Sequence, residues 1–155
     1  MIITNPHLSD LVPLFRALHN FHAALRPGLY HSEGGDAAYL NHLRGLQAQG
    51  AQVFAADAGW GLVGYLLALP EIRPADALRR AETRWRIDHL YVARGCRGRG
   101  LARQLVAEME RAMADRGVAL WVVYQDAANP PAHVVYRRVG ATDRMRMLEK
   151  SCQPE

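Results

Sequence analysis

The run Ile87–Ala102, IDHLYVARGCRGRGLA, restricts what this chain can fold into more than any other stretch. Ile87, Leu90, Tyr91 and Val92 have strand character. Gly95, Gly98 and Gly100 then give a permissive backbone with bare N–H groups. Leu101, Leu105, Met109 and Ala112 follow at helical spacing. The pattern predicts a buried strand joined to an amphipathic helix by a glycine- and arginine-rich turn. Such a helix start attracts anions, because free N–H groups and the macrodipole point the same way. The expected ligand carries a diphosphate.

Elimination narrows that ligand. A P-loop needs Gly-Lys-Ser/Thr, and the single lysine is Lys150. The dinucleotide pattern needs Gly or Ala three places after its second glycine; after Gly98-Arg99-Gly100 that place holds Arg103. The pattern that fits is R-x-x-G-x-G/A, as Arg97-Gly98-Arg99-Gly100-Leu101-Ala102. Taken alone, such a turn could merely connect strand to helix. A second block lies downstream: Asn129, Ala132, Tyr136 and Gly140 at the spacing N-x-x-A-x-x-x-Y-x-x-x-G, with Ala141 where an aromatic would complete it. Pro130 and Pro131 suit a first helical turn and Gly140 a C-terminal cap. Together the two blocks resemble the acetyl-CoA-dependent N-acetyltransferases of the GNAT superfamily.

Composition sets the outer bounds. A chain of 155 residues, half of them hydrophobic, buries a core as one domain over 1–155. No apolar run is long enough to span a membrane, and Asn5-Pro6 follows Ile2-Ile3 too closely for a signal peptide. Cys96 and Cys152 form no metal or redox motif, so the expected compartment is the cytoplasm. The formal charge is +4, and Arg94, Arg97, Arg99 and Arg103 alone carry that much. The excess is local, as a phosphate-bearing ligand requires, and the cluster lacks the interleaved aromatics of a nucleic-acid surface.

Periodicity predicts a first strand over Met1–Thr4 and a helix from an N-cap at Ser9 to about Leu25, with Leu11, Leu14, Phe15, Leu18, Phe21 and Leu25 on one stripe. A second helix is expected over Asp36–Gln49, then a hairpin of Val53–Asp57 with Leu62–Leu69. Pro70–Ala81 reads as a polar connection and Trp85–Val92 as the next strand. The long helix spans Gly98–Arg116, a strand Ala119–Tyr124, a short helix starts at Pro130, and a last strand covers Thr142–Leu148. The fold class is α/β with a mixed, mainly antiparallel sheet flanked by helices on both faces, the order of the GNAT fold.

The resemblance implies acetyl transfer from acetyl-CoA to the primary amine of a small-molecule acceptor, by direct attack in a ternary complex and without a metal. An alkylammonium has a pKa of about 10, so a proton must leave before attack. The oxyanion that forms needs N–H donors, and the departing thiolate needs a proton. In the family's polyamine enzymes the strand reads roughly L-E-D-F-F-V, and the glutamate falls on Asp88, the first candidate base. His89 has the better intrinsic pKa, but strict alternation along a strand would point it away from Asp88. Tyr136 corresponds to the family's general acid. Leu90, Tyr91 and Val92 correspond to the strand whose backbone holds the pantetheine arm, and the Val92 N–H is a candidate oxyanion donor. Arg97, Gly98, Arg99, Gly100, Leu101, Ala102 and Arg103 would cradle the diphosphate. Asn129 and Ala132 would line the same groove, Asn129 also serving as a helix cap.

The acceptor side carries no comparable motif. His19, His22, His31 and His42 fall in the first two helices and their connection, the region that shapes the acceptor pocket in the family. No carboxylate or cysteine at helical spacing completes a metal site with His19 and His22. No acidic run selects a polycation, so polyamine specificity is not carried over. Two other functions share the motifs: acetylation of a protein lysine or N-terminus, and a CoA-binding regulatory domain without catalysis. Dimerisation is common in the family and leaves no clear mark on this sequence.

Overall fold

The chain runs through β1 (Ile2–Thr4), α1 (Leu8–Leu25), α2 (Asp36–Ala48), β2 (Gln52–Asp57), β3 (Leu62–Arg73), β4 (Glu82–Val92), α3 (Leu101–Asp115), β5 (Trp121–Val123) and α4 (Pro130–Arg138). These elements come from a computed structural model that describes residues 1–153. The five strands lie in one sheet in sequence order. Neighbours β1 to β4 are antiparallel, and β5 runs parallel to β4.

Alternation along β2 and β3 builds a core on each face of the sheet. Val53, Ala55, Tyr65 and Leu67 pack against Leu11, Phe15, Leu43 and Leu46 of α1 and α2. Phe54, Leu66 and Ala68 pack against Leu105, Val106, Met109 and Met113, the apolar stripe of α3. Each large side chain so buried contributes roughly 1.5–3 kcal/mol. The α/β fold with helices on both faces is therefore the one expected from the motif order.

The elements depart from expectation at their ends. β3 continues through Pro70 to Arg73, where a polar connection is expected. Pro70 pairs with Trp85 of β4 after β2 has ended at the Gln52–Ala68 pair, so its missing N–H faces an unpaired edge. α1 begins at Leu8, one residue before the expected cap Ser9. α3 begins at Leu101 rather than Gly98, and β5 has only three residues. The strand expected over Thr142–Leu148 does not form. Its alternation of Arg144 and Arg146 with Met145 and Met147 reads as a strand, but no neighbour supplies a ladder. Ion pairs hold the segment instead, Arg144 to Glu82 at 2.8 Å and Arg137 to Asp143 at 3.1 Å, leaving Met145, Met147 and Leu148 exposed.

One irregularity positions everything that follows. Leu67 lies opposite His89 and Ala68 opposite Ile87, so Asp88 is an extra residue in β4, a β-bulge. Before it, Trp85 and Ile87 face α3; after it, Leu90 and Val92 face α3, while Tyr91 faces the α1 layer. β5 pairs with β4 only at Trp85, Arg86 and Ile87, and the two strands part at the bulge.

Candidate active site

The parting of β4 and β5 opens a cleft of about 770 Å³ through the sheet. Asp88, Leu90, Tyr91 and Val92 line it from β4; Gly98, Gly100, Leu101, Ala102 and Arg103 from the turn into α3; Asn129, Ala132 and Tyr136 from α4 and its cap. Arg97 also reaches it, but Arg99 does not. The structure thus brings together the residues matched to the two motif blocks and to β4, except Arg99; of the histidines singled out, His22 lines the cleft and His19, His31, His42 and His89 do not.

The turn into α3 has the geometry of an anion cradle. Gly98 and Gly100 both have φ of +76°, a left-handed conformation that side chains disfavour. Gly100 is the N-cap of α3 and offers no side-chain acceptor. The first helical bond is Gln104 N–H to Gly100 O at 3.0 Å, and among the described residues no acceptor meets the N–H groups of Leu101, Ala102 and Arg103. These uncapped donors and the arginines beside them fit the diphosphate of a coenzyme A. Arg97 is less free than its position suggests. Its Nε donates to the Val92 carbonyl at 2.9 Å, and its guanidinium lies 5.7 Å from the centre of the Tyr91 ring.

The β4 backbone supplies further donors. The Ala93 N–H bonds Val63 O at 2.8 Å. Alternation of an antiparallel ladder then turns the N–H groups of Val92 and Leu90 away from β3, toward the side that β5 has left. β3 and β4 lie close here: a Cβ on Gly64 would stand 2.9 Å from the Tyr91 carbonyl oxygen. On the opposite wall, Asn129 caps α4, its Oδ1 accepting from the Ala132 N–H at 3.4 Å. Tyr136 is partly buried, 6.3 Å from Trp121 ring to ring, and the burial pushes its phenol pKa up.

Asp88 and His89 do not face opposite ways. The bulge rotates both to the α1 side, and His89 Nε2 lies 3.3 Å from Asp88 Oδ2. The other ring nitrogen of His89, Nδ1, is 3.0 Å from the Tyr65 hydroxyl. The His89 ring is 8% exposed and stacks on Phe15 at 4.8 Å. Burial lowers its pKa to about 4, so the ring is neutral at neutral pH. A Tyr65 O–H donating to Nδ1 leaves the proton of the neutral ring on Nε2, the nitrogen beside Asp88. Arg86 Nη1 contacts Asp88 Oδ1 from the other side, and its Nε donates to Glu71 at 2.7 Å. Asp88 is held from both ends, and its side chain remains about a quarter exposed to the cleft.

Further residues line the cleft, and of these Tyr30, Tyr124, Gln125 and Asp126 carry no signal in the sequence. Leu18, Phe21, His22 and Leu25 of α1, Tyr30, and Tyr124, Gln125 and Asp126 after β5 all line it. Arg26 grips Asp126 with two bonds, Nε to Oδ2 at 2.9 Å and Nη2 to Oδ1 at 2.8 Å. That fork holds the Asp126 carboxyl down at about 2. Burial, aided by nearby His19, keeps the His22 pKa below its ordinary value. The pair joins residues one hundred positions apart, which no local pattern could reveal. Among the described residues no group of three His, Cys, Asp or Glu side chains could hold a metal ion, and no helix is long and apolar enough to cross a membrane.

Comparison with known proteins gives the same frame. The sequence model of the Acetyltransferase (GNAT) family matches residues 15–141. No curated protein sequence matches closely enough to support a comparison. Among solved structures, a tetramutant of the BH1408 protein from Bacillus halodurans superposes with a TM-score of 0.86 at 15% identity, covering 97% of this chain and 99% of that one. The aminoglycoside 6'-N-acetyltransferase AAC(6')-IG from Acinetobacter haemolyticus gives 0.74 at 15% identity, covering 100% and 99%. A ribosomal-protein-alanine N-acetyltransferase from Brucella melitensis biovar Abortus 2308 gives 0.71 at 21% identity, covering 97% and 99%. At these identities the likeness is one of fold.

Proposed function

We propose that this chain, which belongs to the GNAT acetyltransferase family, transfers an acetyl group from acetyl-CoA to the primary amine of a small molecule, both substrates being bound at once. The observation that carries this reading is a single cleft that joins uncapped α3 amides on one side of the sheet to Asp88 on the other. Acetyl-CoA, when bound, supplies a thioester carbon that exchanges its C–S bond for a C–N bond, the sulfur leaving as thiolate.

In this reading the amides of Leu101, Ala102 and Arg103 hold the diphosphate, with Arg103 adding charge. The Leu90 and Val92 backbone holds the arm that follows, and the Val92 N–H faces the oxygen on which negative charge grows. Tyr136 gives its proton to the sulfur. A buried phenol is a weaker acid than a thiol, so it does not lose that proton beforehand.

Asp88 holds the ammonium and accepts its proton. An ordinary carboxylate is about six pKa units less basic than an alkylamine, so the proton must pass on to solvent rather than stay. Exposure of Asp88 to the cleft allows that. His89 is a positioning residue: neutral and buried, its ring stands against one carboxylate oxygen while Arg86 bonds the other.

The test is Asp88→Asn, read as kcat/KM against pH with any accepted amine. The account expects a loss on the order of 10²-fold near pH 7, the lower end of a general base's contribution. The loss should shrink as pH rises and free amine becomes abundant. Full activity at pH 7 would remove Asp88 from the chemistry.

A further inference from the structure

The α1 half of the cleft is built from unusual material. Leu18, Phe21 and Leu25 project from one face of α1. The stripe they continue is core in its first turns, where Leu11, Leu14, Phe15 and Leu18 are buried. Burial ends at Leu18, and one turn on Phe21 is 43% exposed. Tyr30 and Tyr124 join it at the same mouth, Tyr124 75% exposed. Three aromatic rings bordering one open cleft form a surface that an apolar body would cover.

Charge in this half is already balanced. Its two carboxylates are Asp88 and Asp126. Asp126 is taken by both prongs of Arg26, and Asp88 is shared with Arg86. Arg26 also has Glu149 at 3.9 Å, so its guanidinium is occupied in turn. His22, which lines the same cleft, has its pKa held below the ordinary value by burial. One ammonium can approach Asp88. A second would have only Asp126, whose two oxygens both accept from Arg26 and one also from the Ala128 N–H, whereas Arg86 bonds just one oxygen of Asp88; desolvating an unpaired charge is costly. Of the arginines that line the cleft, Arg97 and Arg103 belong to the α3 turn and Arg138 to α4, so among the described residues a carboxylate on the acceptor would find none from α1 or from the loop after β5.

Resting on the transferase reading, we infer that the acceptor is a primary monoamine carried on an apolar, aromatic-compatible body, such as an arylalkylamine, and not a polyamine, an aminoglycoside or an amino acid. The ammonium lies against Asp88, and the body lies along Phe21 and Leu25 with Tyr30 and Tyr124 across the mouth. The ammonium gives one proton through Asp88 to solvent; the amine nitrogen then forms the new bond to the acetyl carbon and loses a second proton as the C–S bond breaks, and the sulfur leaves as a thiol with one.

The experiment compares kcat/KM for 2-phenylethylamine, spermidine, kanamycin, free phenylalanine and a short peptide with a free N-terminus, at saturating acetyl-CoA. Phenylethylamine should exceed each of the others by at least about tenfold, since every rival adds an unpaired charge or polar groups. Phe21→Ala should raise KM for phenylethylamine about tenfold, with kcat and acetyl-CoA affinity nearly unchanged, because it removes aromatic contact area alone. Phe21→Leu should recover part of that loss.

Preferred turnover of spermidine, kanamycin, phenylalanine or peptide would overturn the monoamine assignment while leaving the transferase reading intact. So would an unchanged KM in a folded Phe21→Ala protein. Turnover of none of the five, with acetyl-CoA binding intact, would overturn the transferase reading and the monoamine assignment with it.

Discussion

The α3 side of the cleft presents uncapped backbone N–H groups flanked by Arg97 and Arg103, while the α1 side presents aromatic rings and carboxylates already engaged by arginines. The first surface suits a ligand that is always the same and always anionic. Backbone amides bind phosphate whatever the neighbouring side chains are, so what must be kept is backbone geometry. The second surface selects by shape and by the absence of spare charge, which side chains from separate elements set together. One half of the cleft is made locally by a turn; the other exists only after α1, β4 and the loop beyond β5 have met.

The largest effect expected from breaking this contrast is on the chemistry that joins the halves. Tyr136→Phe keeps the ring against Trp121 and removes only the hydroxyl. kcat should fall on the order of 10- to 1000-fold, within or just below a general acid's usual contribution, with acetyl-CoA affinity nearly constant. Steady-state kinetics with acetyl-CoA varied read both numbers. An unchanged kcat, where chemistry limits the rate, would reduce Tyr136 to packing.

Gly100→Val attacks the donor half alone. The φ of +76° suits glycine poorly replaced by a β-branched residue, and the new side chain would project where no protein atom lies within 4 Å. CoA affinity should drop at least about tenfold, or 1.4 kcal/mol. Calorimetry on the folded variant decides: equal affinity would mean that the turn does not hold the diphosphate.

The acceptor half should show itself in the pH dependence of stability. Burial holds His89 at about 4, against 6.5 in an unfolded chain. Between those values the unfolded chain binds more protons, so stability is full above pH 6.5 and declines as pH falls toward 4. His89→Phe preserves stacking on Phe15 and abolishes that titration. Its urea midpoint should change less between pH 7 and pH 4 than that of the parent protein; parallel declines would assign the acid sensitivity elsewhere.

Arg97→Ala is the mildest probe. Because Arg97 is spent on the Val92 carbonyl and the Tyr91 ring, CoA affinity should fall only about threefold, the scale of a lost exposed charge contact. A loss as large as that of Gly100→Val would show that side-chain charge, not backbone, dominates the donor half.

The same contrast explains what could be read before the structure. The turn, α3 and α4 were legible because each function there maps to one residue's backbone need: Gly98 and Gly100 for a left-handed turn, Asn129 for a cap. Asp88 was legible as a residue but not as a geometry. The bulge that swings it beside His89 depends on how β3 registers against β4, and strict alternation gave the wrong side. Phe21 reads as core because helical periodicity cannot tell where burial along a helix ends. Arg26 and Asp126 had no signal at all, since their pairing depends on closure of the whole chain. The tail over 142–148 alternated like a strand, yet a strand needs a partner that the pattern does not report.

The most direct test of the central claim is to incubate the protein with acetyl-CoA and 2-phenylethylamine, and follow thiol release and amine mass together. The account predicts one acetylated amine for each thiol released, and loss of both signals in a folded Gly100→Val protein at low acetyl-CoA. Thiol release without acetylated amine, or acetyl-CoA binding with neither product, would contradict it.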